Sequence, residues 1–364
     1  MLLQILRNID RKRFNSLLVL PAPGILKEKA EESGIEVKII PYKWWLSEEW
    51  QVWKQPFSWL WNIKSIIRLL KFIKERQISL VFTNSVAVFS GAWAAKITKV
   101  GHIWSIHEIL DGQERILHFW LGKRILIKLI DWLSTAIVVN SKASRRSFPN
   151  NKKVRLIYGG FELPQLSLAS SQTIRRKLGL RQEDFVLGIV GKIYKGKGQE
   201  EVIQAVAYLK EHLPQVKLLI VGEVKDKRYY RKLKRITKKL GLEGKIKFTG
   251  YQHDIFSLLG AMDLLIVASR VDSLGLAALE AMAVSTPVLA VRAGGLSEII
   301  KDGDNGFLVE SNRPGILAEA VESLWRHPSR LKEASQRAIS TLKDKFSLSR
   351  YILRIEQLLD EYGE

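Results

Sequence analysis

Residues 269–298 combine an acidic pair, a glycine turn and a helical pattern in one short segment. A strand pattern leads through a polar turn that contains Gly275 into a helical pattern that begins at Leu276. Free backbone N–H groups and the positive end of the helix dipole therefore lie where a phosphate would bind. Asp272 precedes the turn and Glu280 lies on the helix, so the two carboxylates can reach a ligand at different depths, although acidic pairs at this spacing are common.

The same segment resembles glycosyltransferase family 4, a group of retaining enzymes with the B-type fold of two Rossmann-like domains. That family has a Glu-x7-Glu motif ending in Glu-Ala-Met-Ala, then Pro-Val and a Gly-Gly-x-x-Glu segment. The matching residues here are Asp272, Glu280, Ala281, Met282, Ala283, Pro287, Val288, Gly294, Gly295 and Glu298, followed by DGDNGFLV at 302–309. The resemblance continues through Gly250 and VGKIYKGKG at 190–198. It covers residues 185–310 well and the first half loosely.

Two positions depart from the family pattern. Asp272 stands in place of the first Glu, which keeps the charge and shortens the side chain by one methylene, and Ser285 stands where Gly is common. The resemblance implies that Glu280 binds the nucleotide ribose and that Asp272 lies near the donor sugar. We expect neither departure to abolish donor binding.

The resemblance implies that the sugar donor is a nucleotide sugar, which loses a nucleoside diphosphate in the reaction. The negative charge that grows on this leaving group must be stabilised by cations or helix N-termini. By resemblance, Lys192 and Lys197 supply these cations, and Gly191, Gly250 and the Gly275 turn complete the donor site. Lys192 replaces a common Arg and so loses the two-pronged contact. Ordinary surface lysines are the alternative for both positions. The glycines of 188–198 do not form GxGxxG, which disfavours a dinucleotide site.

A histidine follows a strand pattern in the first half, where family members often carry one at the mouth of the cleft. We predict a catalytic role for this residue, His107, while a structural histidine is an equally good interpretation. Its neighbour Glu108 could help to bind the acceptor, although a solvated loop carboxylate is the simpler interpretation.

No metal or other cofactor is expected beside the nucleotide sugar, which is a co-substrate. Asp302 and Asp304 form an Asp-x-Asp pair of the kind that holds a divalent metal in other glycosyltransferases, but here they lie in a Gly-rich run typical of a surface turn. His102 and His107 lack the i, i+4 spacing of a helical zinc site.

Short apolar runs followed by helical spacing recur along the chain, which is typical of parallel strands joined by crossover helices. We predict strands at 16–21, 36–40, 79–83, 102–106, 135–139, 154–158, 185–190, 216–221, 246–249, 264–268, 287–291 and 307–309. A chain of 364 residues fits two such domains. The predicted fold is therefore α/β, with two Rossmann-like domains facing a cleft that closes over donor and acceptor.

The domain boundaries follow from composition. The resemblance implies that the first domain, residues 1–163, binds the acceptor and that the second, residues 164–345, binds the donor. Residues 346–364 are predicted to form a helix that packs back toward the first domain. The small polar residues of 164–173 indicate a linker, and YGGFE at 158–162 indicates a hinge.

The chain starts with helical spacing, whereas family members usually start with a strand and a glycine-rich turn. Leu2, Leu3, Ile5 and Leu6 have this spacing. We predict that the N-terminal domain lacks its first, central strand and has a slot between inner strands. A start placed too far downstream is favoured over a natural truncation that has lost activity.

The formal net charge of +21 and pI near 9.9 indicate a polyanionic partner, which could be nucleic acid, an acidic membrane or a phosphate-bearing substrate. Six Trp lie between positions 44 and 61 among Lys43, Lys54 and Lys64, a mixture suited to an anionic bilayer or an amphiphilic acceptor. We expect peripheral attachment to the inner face of the cytoplasmic membrane, and a Trp-rich core patch is the alternative.

A helical pattern over 63–76 follows this run. Its apolar stripe is Ile63, Ile66, Ile67, Leu70 and Ile73. We predict that this stripe covers a sheet and that the basic face is solvated, with a helix lying on the membrane as the alternative.

The predicted function is retaining transfer of a hexose-type sugar from a nucleoside-diphosphate sugar to a glycan or lipid-linked acceptor in cell-surface polysaccharide or glycolipid synthesis. The absence of cysteine excludes disulfides and fits a reducing cytoplasm, and the first residues lack the order of a secretory signal. The alternatives are an inactive or truncated homologue, an epimerase or phosphorylase of the same fold, and a basic nucleic-acid-binding protein, for which no recognisable module is present.

Overall fold

The computed structural model describes residues 1–47, 49–111, 117–164 and 168–363. The chain forms two compact units, one from Met1–Gly160 with the segment that starts at Leu348, the other from Phe161–Ser347. The boundary between the two units follows Gly160, inside the YGGFE run, three residues before the predicted end of the first domain at residue 163. Both units contain parallel strands connected through helices, and each has a Rossmann-like arrangement.

The first unit has six strands. They are β1 Leu17–Leu20, β2 Glu36–Ile39, β3 Leu80–Asn84, β4 Gly101–Ile106, β5 Ala136–Val139 and β6 Val154–Leu156. Its helices are α1 Leu2–Asn8, α2 Ile25–Glu31, α3 Gln55–Glu75, α4 Ser90–Thr98, α5 Lys123–Leu133, α6 Lys142–Arg145 and the last helix of the chain, α15 Leu348–Gly363. A 3-10 turn over Glu49–Lys54 leads into α3.

The parallel strands of this unit fall into two sheets, β1-β2 and β3-β4-β5-β6. Leu17 lies opposite Glu36 in the smaller sheet, and Leu80 lies opposite Gly101 in the larger one. Val19 of β1 and Val81 of β3 nevertheless pack in one apolar cluster. Strands β1 and β3 thus belong to different sheets, and α1 has the helical conformation that its apolar spacing predicts. The absence of a first, central strand stays a prediction.

The last helix, α15, packs on the first unit. Ile355 and Leu358 join the apolar cluster of Ile103 and Val138 in the larger sheet. Glu356 accepts a hydrogen bond of 2.8 Å from the backbone of Asp10. The C-terminal helix therefore contributes to the core of the unit that contains the N-terminus.

The second unit has one parallel sheet in the order β12-β11-β10-β7-β8-β9. Its strands are β7 Phe185–Val190, β8 Val216–Val221, β9 Ile246–Gly250, β10 Leu264–Val267, β11 Val288–Val291 and β12 Phe307–Val309. Its helices are α7 Leu168–Lys177, α8 Gln199–Leu209, α9 Lys227–Lys239, α10 Ile255–Leu259, α11 Leu276–Ala283, α12 Leu296–Ile299, α13 Pro314–Arg326 and α14 Pro328–Lys345. All twelve predicted strands are confirmed to within two residues.

The linker prediction is wrong over residues 168–173, because these residues form the first part of α7. Residues 165–167 of the predicted linker lie outside the described residues. Arg175 explains why this helix is fixed: its guanidinium donates to the Ala261 and Asp184 backbone oxygens at 3.1 and 2.6 Å and pairs with Asp263 at 3.2 Å. The α7 segment thus belongs to the second unit.

The predicted apolar stripe of α3 is only partly correct. Ile73 is buried, but Ile63 and Ile67 are 51% and 59% exposed. The reason is that Asn62 and Ser65 occupy the buried face, where their side chains bond to the backbone of the preceding loop.

The Trp-rich run divides between core and surface. Trp45 is fully buried and stacks on Phe89 and Trp104 at centroid distances of 4.9 and 5.9 Å. Trp44, Trp53 and Trp61 are exposed, and the Trp50 side chain lies outside the described part of the chain. Within the described residues, no helix combines the length and the apolar character that crossing a bilayer requires.

Candidate active site

The candidate site of the second unit is built from turns at the carboxyl edge of its sheet. The turns after β7, β10 and β11 approach one another so closely that they require glycine. A Cβ on Gly198 would lie 2.5 Å from the Ala268 carbonyl oxygen, and one on Gly295 would lie 2.1 Å from that of Ser273. In parallel α/β sheets this edge is where ligands bind.

An ion pair joins two of these turns. The Lys197 Nζ lies 3.2 Å from Oδ2 of Asp272. The other oxygen of Asp272, Oδ1, accepts a hydrogen bond of 2.6 Å from the backbone of Gly275, and the Asp272 carbonyl accepts one of 2.8 Å from Gly295. Asp272 therefore fixes the turn before α11 and holds the lysine next to it.

The turn after β7 places the second predicted lysine in solvent. Lys192 is exposed, and its carbonyl accepts a hydrogen bond of 3.1 Å from the side chain of Gln199. Gly191 has φ of 143°, and a Cβ there would lie 3.7 Å from the aliphatic carbons of Lys197, which places the two residues side by side. The structure brings Gly191, Lys197 and Asp272 together and leaves Lys192 free to turn toward an anion.

The N-terminus of α11 is open at the same edge. Gly275 precedes the helix with φ of 72°, a left-handed conformation that favours glycine. Leu276, the first helical residue, is 44% exposed. The first turn of a helix has N–H groups without intrahelical partners, and the dipole favours an anion there.

Glu280 lies on α11 with its carboxylate largely withdrawn from water. This burial raises the pKa of Glu280 from 4.5 to about 7. Among the described residues, no hydrogen bond or ion pair satisfies this carboxylate. A partly desolvated carboxylate without a partner is suited to accept hydrogen bonds from the hydroxyl groups of a ligand.

Gly250 is connected to this cluster through Gly222, which lies so close to Gly191 that an added Cβ would be 2.0 Å from the Gly191 carbonyl oxygen. It ends β9, the edge strand two positions from β7, and its carbonyl accepts a hydrogen bond of 2.9 Å from Gly222. Its φ of 69° is left-handed, which explains the glycine. Within the described residues no hydrogen bond joins Gly250 to Lys197 or Asp272.

His107 belongs to the first unit, at the carboxyl end of β4. Its Nε2 lies 2.8 Å from Oδ1 of Asn84, at the end of β3, and 3.3 Å from the Ser105 hydroxyl. Burial lowers the pKa of His107 to about 4, so the ring is neutral at neutral pH. The contact with an amide oxygen requires the proton on Nε2, which leaves the lone pair on Nδ1 to accept a hydrogen bond.

Glu108 is not the solvated loop carboxylate that the sequence favoured. Its Oε2 accepts hydrogen bonds of 3.0 and 3.4 Å from the backbones of His107 and Val86, and its Oε1 accepts one of 3.1 Å from the Ser85 hydroxyl. Ser85 has φ of 139°, which is unusual for a residue with a side chain. Glu108 therefore holds the turn that follows Asn84.

Three other polar side chains that the sequence singled out, those of His102, Asp302 and Asp304, have structural roles. His102 is buried, with its ring nitrogens 3.0 Å from the Leu133 carbonyl oxygen and 2.9 Å from the Thr83 hydroxyl. Asp304 pairs with Arg337 at 3.0 Å in a surface turn, while Asp302 accepts a hydrogen bond from a backbone N–H. In the described ranges, no three His, Asp or Glu side chains form a group that could hold a metal.

Asn84 and Ser85 were missed as site residues. The sequence signal was present, because they are polar residues directly after a strand. Their position beside Ser105 and His107 is set by the pairing of β3 with β4, which the local sequence does not specify.

Comparison with known proteins agrees with this geometry. The sequence model of Glycosyltransferase Family 4 matches residues 2–164, and that of Glycosyl transferases group 1 matches residues 170–341. The Bacillus subtilis protein EpsD is 32% identical over 198 residues, which are 54% of this chain and 50% of EpsD. The D-inositol 3-phosphate glycosyltransferase of Corynebacterium kroppenstedtii is 30% identical over 202 residues, 52% of this chain and 45% of the relative.

A solved structure extends the likeness to the whole chain. HepE from Anabaena, crystallised with UDP, superimposes with a TM-score of 0.84 at 25% identity and covers 99% of this chain and 95% of HepE. In sequence, by contrast, the chain spans about half the length of the curated relatives it matches. The matches to both halves and the two Rossmann-like units together show that the chain belongs to glycosyltransferase family 4, with the B-type fold.

Proposed function

We propose that the chain transfers a hexose-type sugar, with retention of anomeric configuration, from a nucleoside-diphosphate sugar to a glycan or lipid-linked acceptor. The product belongs to cell-surface polysaccharide or glycolipid synthesis. The observation that carries this proposal is the arrangement of a lysine held by Asp272, an open helix N-terminus and the unpartnered carboxylate of Glu280 in one unit.

The donor is proposed to be a UDP-hexose. HepE, to which this chain is similar along its whole length, is crystallised with UDP and also with UDP-glucose. In the proposed binding mode, the ribose hydroxyls donate hydrogen bonds to Glu280. The diphosphate lies at Lys197, Lys192 and the N-terminus of α11, and the sugar lies near Asp272.

In the transfer step the bond between the anomeric carbon and the diphosphate oxygen breaks, and the electron pair leaves with the diphosphate. The acceptor hydroxyl attacks from the same face, and its proton passes to the departing diphosphate. Lys197 and the helix N-terminus stabilise charge where it develops, which lowers the barrier without requiring a metal. We propose that no metal takes part.

The first unit is proposed to bind the acceptor. Asn84 fixes the ring of His107 in the tautomer that leaves Nδ1 as an acceptor, and Glu108 fixes the adjoining turn. A neutral histidine with a free lone pair can accept a hydrogen bond from a sugar hydroxyl. The proposed role of His107 is to orient such a hydroxyl.

Attachment to the inner face of the cytoplasmic membrane is the remaining part of the proposal. The net charge of +21 favours anionic surfaces, and the run from Trp44 to Trp61 places three exposed indoles beside lysines. A lipid-linked acceptor would be presented at that surface.

The donor assignment is tested by thermal shift with UDP, GDP and ADP and with their glucose conjugates. A ligand at a hundredfold excess over its Kd adds about 2.7 kcal/mol of stability. We expect UDP and UDP-glucose to raise the melting temperature of the wild type and to have little effect on Glu280→Ala. Equal shifts for all three nucleotides, or none at millimolar concentration, would remove the donor proposal. NMR of the glycoside formed from UDP-α-glucose tests retention.

A further inference from the structure

Helix α3 buries polar side chains. Asn62 is fully buried, and its side chain accepts a hydrogen bond from the backbone N–H of Lys43 and donates one to its carbonyl, both at 2.9 Å. Gln55 is also buried, and it donates to the His118 carbonyl at 2.7 Å and accepts from the Trp120 N–H at 3.0 Å. The inward face of α3 thus satisfies the backbone of neighbouring loops.

The opposite face of α3 and of the turn before it carries large apolar side chains in water. The residues are Trp53, Phe57, Leu60, Trp61 and Ile67, with exposed fractions of 66%, 67%, 67%, 56% and 59%. Successive members are four, three, one and six residues apart, and the four that lie on α3 fall within about one third of the helix circumference, which makes one stripe. A helix normally turns its apolar stripe to the core, and a contiguous exposed patch marks an interaction surface.

The same stripe becomes basic toward its C-terminal end. Lys64, Arg68 and Lys71 are exposed there, and no Asp or Glu occurs from position 51 to position 74. At the aromatic end, Lys54 lies 5.3 Å from the ring centroid of Trp53. The Lys43 amine lies 4.3 Å from that of Trp61. The stripe is therefore aromatic at one end, cationic at the other and without acidic residues.

This charge pattern disfavours a second copy of the chain as the occupant. A two-fold contact is made by the same patch on both subunits, and this patch has no carboxylate to pair with the cations of the other copy, while two copies of net charge +21 repel each other. An anionic bilayer complements both ends of the stripe. Indole rings lie at the level of the headgroups, and the amines of lysine and arginine reach the phosphates.

We propose that the stripe from Trp53 to Lys71 docks on an anionic lipid bilayer, with Phe57, Leu60 and Trp61 among the lipids and the basic end on the headgroups. The inference rests on the membrane attachment proposed above and assigns it to one surface of the first unit. The proposal also explains why α3 buries polar side chains and exposes apolar ones, a pattern we call inverted polarity. The exposed apolar face is unfavourable in water but is suited to the membrane interface.

Helix α9 in the second unit provides a matched control. It carries eight Lys and Arg among its 13 residues and no acid, with Tyr229 and Leu233 buried and no large apolar side chain exposed. This helix can attract anions only through charge. Removing three cations from α9 or from α3 changes the net charge of the protein equally.

The test is co-sedimentation of the full chain with phosphatidylcholine vesicles, with and without phosphatidylglycerol, at low and high salt. The apolar variant is Phe57→Ser, Leu60→Ser and Trp61→Ser. The basic variant is Lys64→Gln, Arg68→Gln and Lys71→Gln, and the control is Arg235→Gln, Lys238→Gln and Lys239→Gln. Melting curves with and without UDP verify that each variant folds and keeps its nucleotide site.

We expect wild type to bind the anionic vesicles. The basic variant should bind on the order of 100-fold more weakly at low salt, since each cation near the surface contributes about one factor of five. The apolar variant should lose at least about tenfold and retain its salt dependence. The control should change by less than about threefold.

Equal losses in the basic variant and the control would overturn the assignment to α3 and leave membrane attachment standing. An apolar variant that binds like wild type would also overturn it. If the wild type binds neither kind of vesicle at low salt, the proposal of membrane attachment is itself refuted. A dimer in light scattering that the apolar variant converts to a monomer would identify a second copy as the occupant.

Discussion

Helices α3 and α11 have opposite relations to their surroundings. On α11 the apolar residues Ala278, Leu279 and Met282 are buried, while on α3 large apolar residues are exposed and Asn62 is buried. The two helices have different neighbours. Helix α11 packs on the buried strands β10 and β11, whereas α3 packs on α4 and on the loop that contains Lys43, whose backbone groups need hydrogen-bond partners. Helical spacing therefore predicts the helix, but the chemistry of the neighbours decides which face is buried.

The largest effect is expected at the anion end of α11. Lys197→Ala should reduce turnover by about 10² to 10³, because one cation that stabilises the leaving diphosphate is lost. Glu280→Ala should weaken UDP binding by about 10- to 100-fold through the lost ribose contact. Steady-state kinetics and calorimetry measure these effects. Lys195→Ala is the matched control, since Lys195 is exposed in the same turn.

Near-normal turnover in Lys197→Ala would show that the ion pair with Asp272 is structural only. A drop of equal size in Lys195→Ala would show that general positive charge matters, and not the placement of one amine. Either result would mean that the N-terminus of α11 and Lys197 do not form the donor site. The difference between α11 and α3 would then be one of burial only.

A pH dependence is expected from Glu280, whose pKa is raised from 4.5 to about 7 by burial. Below pH 4.5 it is neutral in both states. As the pH rises, the unfolded chain ionises first, so stability falls until about pH 7, by about 3 kcal/mol in total. Urea unfolding at about pH 5 and about pH 8 should show this loss in wild type but not in Glu280→Gln. An identical difference in both proteins would refute the burial of this carboxylate.

The inverted polarity of α3 can be tested in the absence of lipid. Asn62→Ala should cost about 1 to 3 kcal/mol, because the buried backbone groups of Lys43 lose their partners. Leu60→Ala on the exposed face should change stability by less than about 0.5 kcal/mol. Denaturant unfolding compares the two variants. A larger loss for Leu60→Ala would mean that α3 buries the face described as exposed.

The smallest effect is expected for Asp272→Glu. The longer side chain restores the residue common in the family, and we expect turnover within about tenfold of wild type, a change of about 1.4 kcal/mol or less. Both oxygens of Asp272 are engaged, one by Gly275 and one by Lys197. Complete loss of turnover would mean that the turn before α11 is built around the shorter residue.

The local pattern was sufficient to predict the strands. The strands β5, β10 and β11 are short apolar runs that are fully buried in the finished sheets, so their composition reports their environment directly. Strand β2 was found by alternation instead, since Glu36 and Lys38 are exposed and Val37 and Ile39 are partly buried. The chained motif from Asp272 to Glu298 located the turns of the candidate site, where Gly275 is favoured by its left-handed backbone and Gly295 by the close approach of the Ser273 carbonyl. The helix over 168–177 was missed because its small polar residues resemble those of a linker.

Local sequence patterns were enough to predict the α/β class and the strand positions, and they indicated the segment that we propose binds the nucleotide sugar. Which residues meet depends on the folded arrangement of the strands. Lys197 pairs with Asp272, 75 residues away, and His107 pairs with Asn84, 23 residues away. The order of the strands and the turns at their carboxyl ends bring these partners together. Tertiary structure also decided that α3 faces outward with its apolar side. The spacing of apolar residues along one helix cannot specify which face is buried. Burial of that face depends on the hydrogen bonds that chain segments distant in sequence require.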